Sequence, residues 1–119
     1  CVGVGSGTDA ITISLIASGI GMGDEVITTN FTAFPTITGI VNSGAKPVTV
    51  DVDKDDALID VKKIIKKINS KTKAIVPVHL FGQPAEMDDI LQIAICSGLN
   101  FSTEKRALSQ CPRNSKIII

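Results

Sequence analysis

The sequence predicts an α/β fold built on a parallel, doubly wound sheet. Segments with the alternation of a strand and segments with the apolar spacing of a helix follow one another along the chain. Residues 74–78 are almost continuously apolar, as strands buried on both faces of a parallel sheet are. Glycines follow several of the helical patterns, where helices commonly end. These observations predict strand–helix–strand units joined by right-handed crossovers.

The first half of the chain is expected to hold a glycine turn, two helices and two full strands. Only residues 2–4 remain to form the strand that should lead into the turn. The first helix is expected over residues 8–18, where apolar residues recur and glycines follow. A strand over 25–28, a helix over 34–42 and a strand over 46–52 should come next.

The second half is expected to continue the alternation with a helix, a buried strand and another helix. Asp60 is the expected N-cap of a helix whose apolar stripe is Val61, Ile64, Ile65 and Ile68. Lysines occupy the opposite face, which is typical of a solvated helix. After the strand at 74–78, an amphipathic helix is expected over 87–97, ended by Gly98.

The composition argues against several classes of protein. The 119 residues carry no formal net charge, so no global field favours nucleic acid or an anionic membrane. No apolar stretch approaches the about 20 residues of a membrane helix, and we expect a cytoplasmic protein. The three cysteines are widely spaced, which favours neither a disulfide framework nor a zinc site, and Cys96 is expected to be buried on an apolar helix face.

The turn at residues 5–9 could bind a phosphate. Glycines that open into a helix leave backbone N–H groups free at the helix N-terminus. Thr8 stands where the dinucleotide fingerprint needs its third glycine, and the lysine of the Walker motif is missing. A helix cap at Thr8 and Asp9 without any ligand is the alternative, and both interpretations remain open from spacing alone.

Two further features carry weaker chemical signals. Asp51, Asp53, Asp55 and Asp56 cluster after a strand, but the glycine and glutamate of a calcium loop are missing, so we expect a solvated turn. His79 follows the buried strand and is expected to be hydrogen-bonded scaffolding rather than a base. In a parallel sheet the loops at 5–9, 29–32 and 79–83 should share the edge where ligands bind.

Three segments in this order resemble the DegT/DnrJ/StrS family of pyridoxal-phosphate-dependent sugar aminotransferases, which have fold type I. They are Gly7-Thr8-Asp9-Ala10, Gly23-Asp24-Glu25-Val26-Ile27 and Pro77-Val78-His79-Leu80-Phe81-Gly82-Gln83-Pro84. The resemblance runs from about residue 2 to residue 99. It implies part of the three-layer, mostly parallel large domain of these enzymes.

The resemblance also implies a cofactor and substrates. Gly7, Thr8 and Asp9 would bind the phosphate of pyridoxal phosphate. Phe34 is the nearest candidate to stack on its ring, with Ala33 at the more usual position. His79 and Gln83 would lie at the edge of the site. The family transfers an amino group from an amino acid, such as glutamate, to a nucleotide-linked keto sugar, and its members usually form homodimers.

The resemblance ends near residue 100. Residues 1–99 are expected to be part of the cofactor-binding domain, and residues 100–119 a divergent tail of the kind that a shifted reading frame produces. The acidic partner of the pyridine nitrogen and the Schiff-base lysine are not found, so we expect an internal fragment that does not transaminate alone. The alternatives are a non-catalytic phosphate- or nucleotide-binding module and a product that binds no ligand.

Overall fold

A computed structural model describes residues 1–97 and the backbone of a strand at 117–118. Its elements are α1 (Gly7–Ala17), β1 (Glu25–Thr29), α2 (Phe34–Asn42), β2 (Lys46–Val50), α3 (Val61–Lys67), β3 (Thr72–Val76), a 3₁₀ turn (Leu80–Gly82), α4 (Met87–Cys96) and β4 (Ile117–Ile118). The predicted α/β alternation is confirmed, and the predicted helix over 34–42 has the observed bounds.

The sheet is parallel and has the strand order β2-β1-β3-β4. Ile27 of the central strand β1 is in register with Val48 on one side and with Ile75 on the other. Ile117 and Ile118 pair with Ala74 and Ile75, and the sequence analysis did not predict this fourth strand. The order makes β1 and β3 the inner strands of the described sheet.

Helices cover both faces of the sheet, which confirms the predicted three-layer architecture. Val26 of β1 points into a core that includes Leu15 of α1 and Ile40 of α2. Ile27, the next residue, points into the opposite core with Ile64 of α3 and Ile90 of α4. Successive strand side chains alternate between faces, so one short strand holds both cores together.

β1 extends one residue beyond its predicted end, to Thr29, and β2 and β3 differ from their predicted bounds by two residues for identifiable reasons. β3 begins at Thr72 and stops at Val76, because Pro77 has no N–H to continue the ladder. β2 stops at Val50 instead of continuing to residue 52. Val52 forms an isolated antiparallel bridge with Ile59, which closes the turn that leads to α3. Both changes come from backbone hydrogen bonding, which apolar alternation does not reveal.

The predicted strand at residues 2–4 does not form in the described part of the chain. Val2 is 84% exposed, and no described strand pairs with this segment. A strand gains its stability from ladder hydrogen bonds and from buried side chains, and residues 2–4 have neither there.

Two side chains predicted to be buried lie on the surface. Ile65 is exposed because the short helix α3 buries only Ile64 completely. Cys96 is exposed because the buried stripe of α4 runs through Ile90 and Ala94, and a residue two positions further lies on the opposite side. Gly98 and the predicted change at residue 100 lie outside the described residues. Within the described part, no helix has the length and apolar character needed to cross a membrane.

Helices α1 and α2 pack closely against each other at Gly39. A Cβ built on Gly39 would lie 2.9 Å from both Cβ and Cγ2 of Ile11 and 3.1 Å from the carbonyl oxygen of Thr8. These distances are shorter than normal van der Waals contact, and the atoms on the α1 side belong to the backbone or to a β-branched side chain that cannot turn away. Glycine at this position therefore sets how closely the two helices pack.

We predict that Gly39→Ala lowers the free energy of unfolding by about 1–2 kcal/mol. The added methyl group forces the helices apart, although alanine favours a helix more than glycine does. Urea denaturation followed by circular dichroism measures the change. Gly7→Ala is the matched control, since a Cβ there has no neighbour within 4 Å. Equal stability of Gly39→Ala and the wild type would show that the close contact does not exist in solution.

We predict that Glu25→Gln destabilises the fold at neutral pH and removes part of its acid sensitivity. Asn69 Nδ2 donates to the Glu25 carboxylate at 2.8 Å and Lys46 Nζ at 3.3 Å. These two hydrogen bonds, in that order, hold the pKa of Glu25 below its ordinary value. A lowered pKa contributes stability above the unfolded-state pKa, and this stability is lost as pH falls through the folded-state pKa.

Denaturation midpoints between pH 7 and pH 3 test this prediction. The wild type should lose more stability than Glu25→Gln across the acid range. Asp24→Asn is a poor control because Asp24 Oδ2 accepts a hydrogen bond from the Gly21 N–H, so Asp55→Asn, at an exposed position outside any helix, serves instead. Parallel pH profiles for Glu25→Gln and the wild type would contradict the assignment.

Candidate functional site

Ser6 caps the turn that leads into α1. Its Oγ accepts a hydrogen bond from the Asp9 N–H at 3.1 Å and donates one to Asp9 Oδ2 at 3.0 Å. These reciprocal bonds resemble a capping box and close the turn. The interpretation that places the cap at Thr8 and Asp9, one of the two left open by the sequence, is wrong, since both residues lie inside the first turn of the helix.

Two backbone donors of this turn are available to a ligand. Among the described residues, the N–H groups of Gly7 and Thr8 have no protein acceptor, whereas the Asp9 N–H is used by Ser6. The positive end of the α1 dipole adds to their attraction for an anion. Of the predicted residues, Gly7 and Thr8 thus present a donor set that fits a phosphate, and Asp9 supports them by holding Ser6.

The fold itself does not require a glycine at residue 7. Its φ is not in the left-handed region, and a Cβ there would meet nothing within 4 Å. At Gly5, in contrast, a Cβ would lie 2.8 Å from Asp9 Oδ2 and would push that carboxylate aside. A glycine with open space above the helix N-terminus lets a phosphate approach the backbone closely.

The N-terminus of α1 faces the edge of the sheet where the strands end. Thr8 of α1 lies beside Gly39 of α2, and Gly21, which follows α1, lies beside Ser43 at the end of α2. The two helices therefore run parallel. Since α2 starts directly after β1, both helix N-termini point toward the carboxyl ends of the strands, as the sequence analysis predicted.

The loops that follow β1 and β2 are joined at this edge. Asn30 Nδ2 donates to Asp51 Oδ1 at 2.6 Å, and Asn30 N–H donates to the Val50 carbonyl at 2.9 Å. Lys63 Nζ lies 3.9 Å from Asp51 Oδ2. The sequence analysis did not select Asn30 or Ser6. Both lie in loops that were predicted to share the ligand edge, 5–9 and 29–32, which is the signal that could have identified them.

Phe34 is the first residue of α2 and its side chain is 80% exposed. A ring this exposed makes little contact with the described residues, and Ala33 before it is the helix N-cap. Phe31 also lies in this loop, at 51% exposure, with its N–H bound to Thr29 Oγ1. The structure does not bring Phe34 against the turn at Gly7, so its stacking role stays a prediction.

His79 and Gln83 bracket the 3₁₀ turn that follows β3. Nδ1 of His79 accepts a hydrogen bond from the Ala85 N–H at 3.0 Å, in agreement with the expected scaffolding role. Gln83 is exposed, and its N–H donates to the Leu80 carbonyl at 3.0 Å. Phe81, between them, has a left-handed backbone (φ 53°) and a 94% exposed side chain.

A cleft of about 250 Å³ lies between the turn after β2 and the start of α4. Its carboxylates are those of Asp53, Asp56, Asp60, Glu86 and Asp89. The hydrogen bond with Asp89 and the charges of Asp89, Asp56 and Asp53 raise the pKa of Glu86. Within the turn, Asp53 and Asp56 accept backbone N–H groups of Asp55 and Leu58. The turn is therefore held by its own aspartates, as expected for a solvated turn.

Comparison with known proteins gives a family match over most of the chain. Residues 1–103 match the model of the DegT/DnrJ/EryC1/StrS aminotransferase family. This match covers the turn at Gly7, all the helices described above and the loop at His79.

Two curated relatives are similar over about four fifths of the chain. One is a pleiotropic regulatory protein of Geobacillus stearothermophilus, 52% identical over 82% of this chain and 26% of its own length. The other is dTDP-3-amino-3,4,6-trideoxy-alpha-D-glucose transaminase of Micromonospora megalomicea subsp. nigra, 44% identical over 83% of this chain and 26% of its own length. The chain thus spans about a quarter of the length of these relatives.

A solved structure supports the same relationship at the level of the fold. NtdA from Bacillus subtilis, solved with bound cofactor PMP, is 43% identical and superposes with a TM-score of 0.75. The match covers 76% of this chain and 21% of NtdA.

We predict that Glu86→Gln stabilises the fold at neutral pH. Because the pKa of Glu86 is raised, its ionisation opposes folding above the folded-state pKa, and this penalty vanishes below the unfolded-state pKa. The gain should therefore be present at pH 7 and absent near pH 3.5 in urea denaturation. Asp88→Asn, a first-turn carboxylate of α4 outside this cleft, should instead lose favourable interaction with the helix dipole. Equal effects of the two substitutions would contradict repulsion across the cleft.

Proposed function

This chain belongs to the DegT/DnrJ/EryC1/StrS aminotransferase family, and from that premise we propose that it supplies the phosphate-binding part of a pyridoxal-phosphate-dependent sugar aminotransferase. The observation that carries the proposal is the N-terminus of α1, where the N–H groups of Gly7 and Thr8 have no acceptor among the described residues. A relative of similar fold was solved with bound cofactor PMP, which supports the choice of cofactor.

Each residue of the turn has a separate task in this proposal. Gly7 and Thr8 donate their N–H groups to the phosphate, and the dipole of α1 stabilises its charge. Ser6 and Asp9 hold the turn in shape through their two mutual hydrogen bonds. The bound cofactor supplies the electron sink that amino transfer requires.

The other predicted residues would lie around the far end of the cofactor. We propose that Phe34, or the backbone at Ala33, borders the ring, since both follow β1 at the same edge of the sheet as the turn. His79 would position the loop after β3 through its bond to the Ala85 N–H. Gln83, exposed beside it, would present its amide to the cofactor or the substrate.

Four of the eight described lysines are poorly placed for covalent attachment of the cofactor. Lys46, Lys71 and Lys73 lie at or before the beginnings of strands, which is the opposite edge of the sheet. Lys63 is held between the carboxylates of Asp51 and Asp60, at 3.9 and 3.4 Å. We therefore propose that this chain alone binds the phosphate of the cofactor but does not transaminate.

The substrates and assembly of the whole protein are part of the same proposal. The name of the Micromonospora relative specifies a dTDP-linked amino sugar, which supports a nucleotide-linked keto sugar as acceptor and an amino acid as donor. We further propose a cytoplasmic homodimer, as in the family that the chain resembles. A non-catalytic phosphate- or nucleotide-binding module is the competing possibility, since the donors at Gly7 and Thr8 would suit any phosphate.

Calorimetric titration of the chain with pyridoxamine phosphate tests the proposed function. This form of the cofactor carries an amine and so does not react with surface lysines. We expect it to bind at least about tenfold more tightly than pyridoxamine, because the phosphate contributes two charge-assisted hydrogen bonds. Gly7→Ala should lower the affinity for pyridoxamine phosphate about tenfold without loss of stability, since its methyl group occupies the phosphate approach.

Two outcomes would contradict the proposal in different ways. Tighter binding of dTDP than of pyridoxamine phosphate would favour the nucleotide-binding module. If neither compound nor inorganic phosphate binds, the turn at Gly7 is only a capped helix end.

A further inference from the structure

Thr12 connects the two helices whose N-termini face the candidate site. Its Oγ1 lies 3.0 Å from the Thr8 carbonyl of its own helix and 3.0 Å from the Gly39 carbonyl of α2. A hydroxyl has one proton, so it is shared between the two carbonyl oxygens or alternates between them. Thr12 is the described residue whose side chain bridges the backbones of α1 and α2.

The second acceptor makes this threonine unusual. Threonine and serine in helices commonly bond to the carbonyl four residues earlier, and that bond is local. Thr38 in α2 does so with the Phe34 carbonyl at 3.2 Å, and Ser18 after α1 does so with the Ser14 carbonyl at 2.7 Å. Neither reaches a second helix in the described structure. The bridge at Thr12 is possible because Gly39 carries no Cβ and lets its backbone approach α1 closely.

The bridge acts on Thr8, which is also one of the two residues that offer N–H groups to the phosphate. Thr8, in the first turn of α1, is therefore held from the α2 side through its carbonyl. Helix α2 in turn carries Ala33 and Phe34 at its start, on the side of the sheet edge where the ring would lie. A ligand that contacts both helix N-termini needs a fixed separation between them.

We propose that Thr12 is a positioning residue that fixes the phosphate-binding turn of α1 relative to the N-terminus of α2. The inference rests on the proposed function. The hydroxyl does not touch the ligand. It sets the distance between the N–H groups of Gly7 and Thr8 and the start of α2 at Ala33 and Phe34, so that one rigid molecule can contact both.

The spacing role predicts different effects on two ligands. Inorganic phosphate needs only the α1 N-terminus, whereas pyridoxamine phosphate needs the separation between α1 and α2. Thr12→Val keeps the shape of the side chain and removes the hydroxyl. We expect it to lower the affinity for pyridoxamine phosphate about tenfold, which corresponds to one lost hydrogen bond. The affinity for inorganic phosphate should fall less than about threefold.

Three further variants complete the calorimetric experiment on the full chain. Thr12→Ser keeps the hydroxyl and should restore the affinity for pyridoxamine phosphate. Thr38→Val removes a hydroxyl whose hydrogen bond stays within α2, and this variant should bind both ligands as the wild type does. The melting temperatures of all variants are compared as a control for folding. If Thr12→Val melts well below Thr38→Val, Thr12→Ala is used in its place, because alanine puts no γ-methyl groups against the two carbonyls.

The outcomes separate this inference from the proposed function. If wild type prefers pyridoxamine phosphate but Thr12→Val binds it as tightly as Thr38→Val does, the positioning role is wrong and the proposed function stands. Equal losses for both ligands would mean that Thr12 acts only within the turn, which also overturns the inference. If the wild type itself shows no preference for pyridoxamine phosphate over inorganic phosphate, the positioning role and the proposed function are both wrong.

Discussion

The central strand β1 is the constraint on which the rest of the structure depends. Its residues from Val26 to Thr29 are all buried, and it pairs with β2 on one side and β3 on the other. Val26 and Ile27 anchor the cores on opposite faces, so both helical layers take their position from this strand. Thr28, though polar, is fully buried and donates to the Val76 carbonyl at 2.8 Å, which adds a side-chain bond between the inner strands.

Carboxylates mark two places in the fold with opposite electrostatic consequences. Glu25, at the start of β1, is surrounded by donors, and its pKa is lowered by hydrogen bonds from Asn69 and Lys46. Glu86, before α4, faces Asp89, Asp56 and Asp53, and its pKa is raised. The sequence has no net charge, yet local placement makes one carboxylate favour folding at neutral pH and the other oppose it.

One turn serves both the folding and the proposed function of this chain. Ser6 satisfies the Asp9 N–H, which any helix start requires, and leaves the N–H groups of Gly7 and Thr8 for a ligand. Behind the turn, Gly39 and Thr12 fasten the same helix to its neighbour. A phosphate site made of backbone donors is only as accurate as the packing that holds the helix, and here the backbone at Gly39 lies directly against Ile11 and the Thr8 carbonyl.

The sequence by itself determined the α/β alternation, the bounds of α2, the Asp60 cap and the family, because these depend on local spacing and on short motifs. Only the tertiary structure decided that Cys96 and Ile65 face solvent, that β2 stops at Val50 and that Thr12 reaches Gly39. The physical reason is that a local pattern fixes which face of a segment is apolar, whereas partners distant in sequence decide where a strand ends, how closely two helices approach and which polar groups meet.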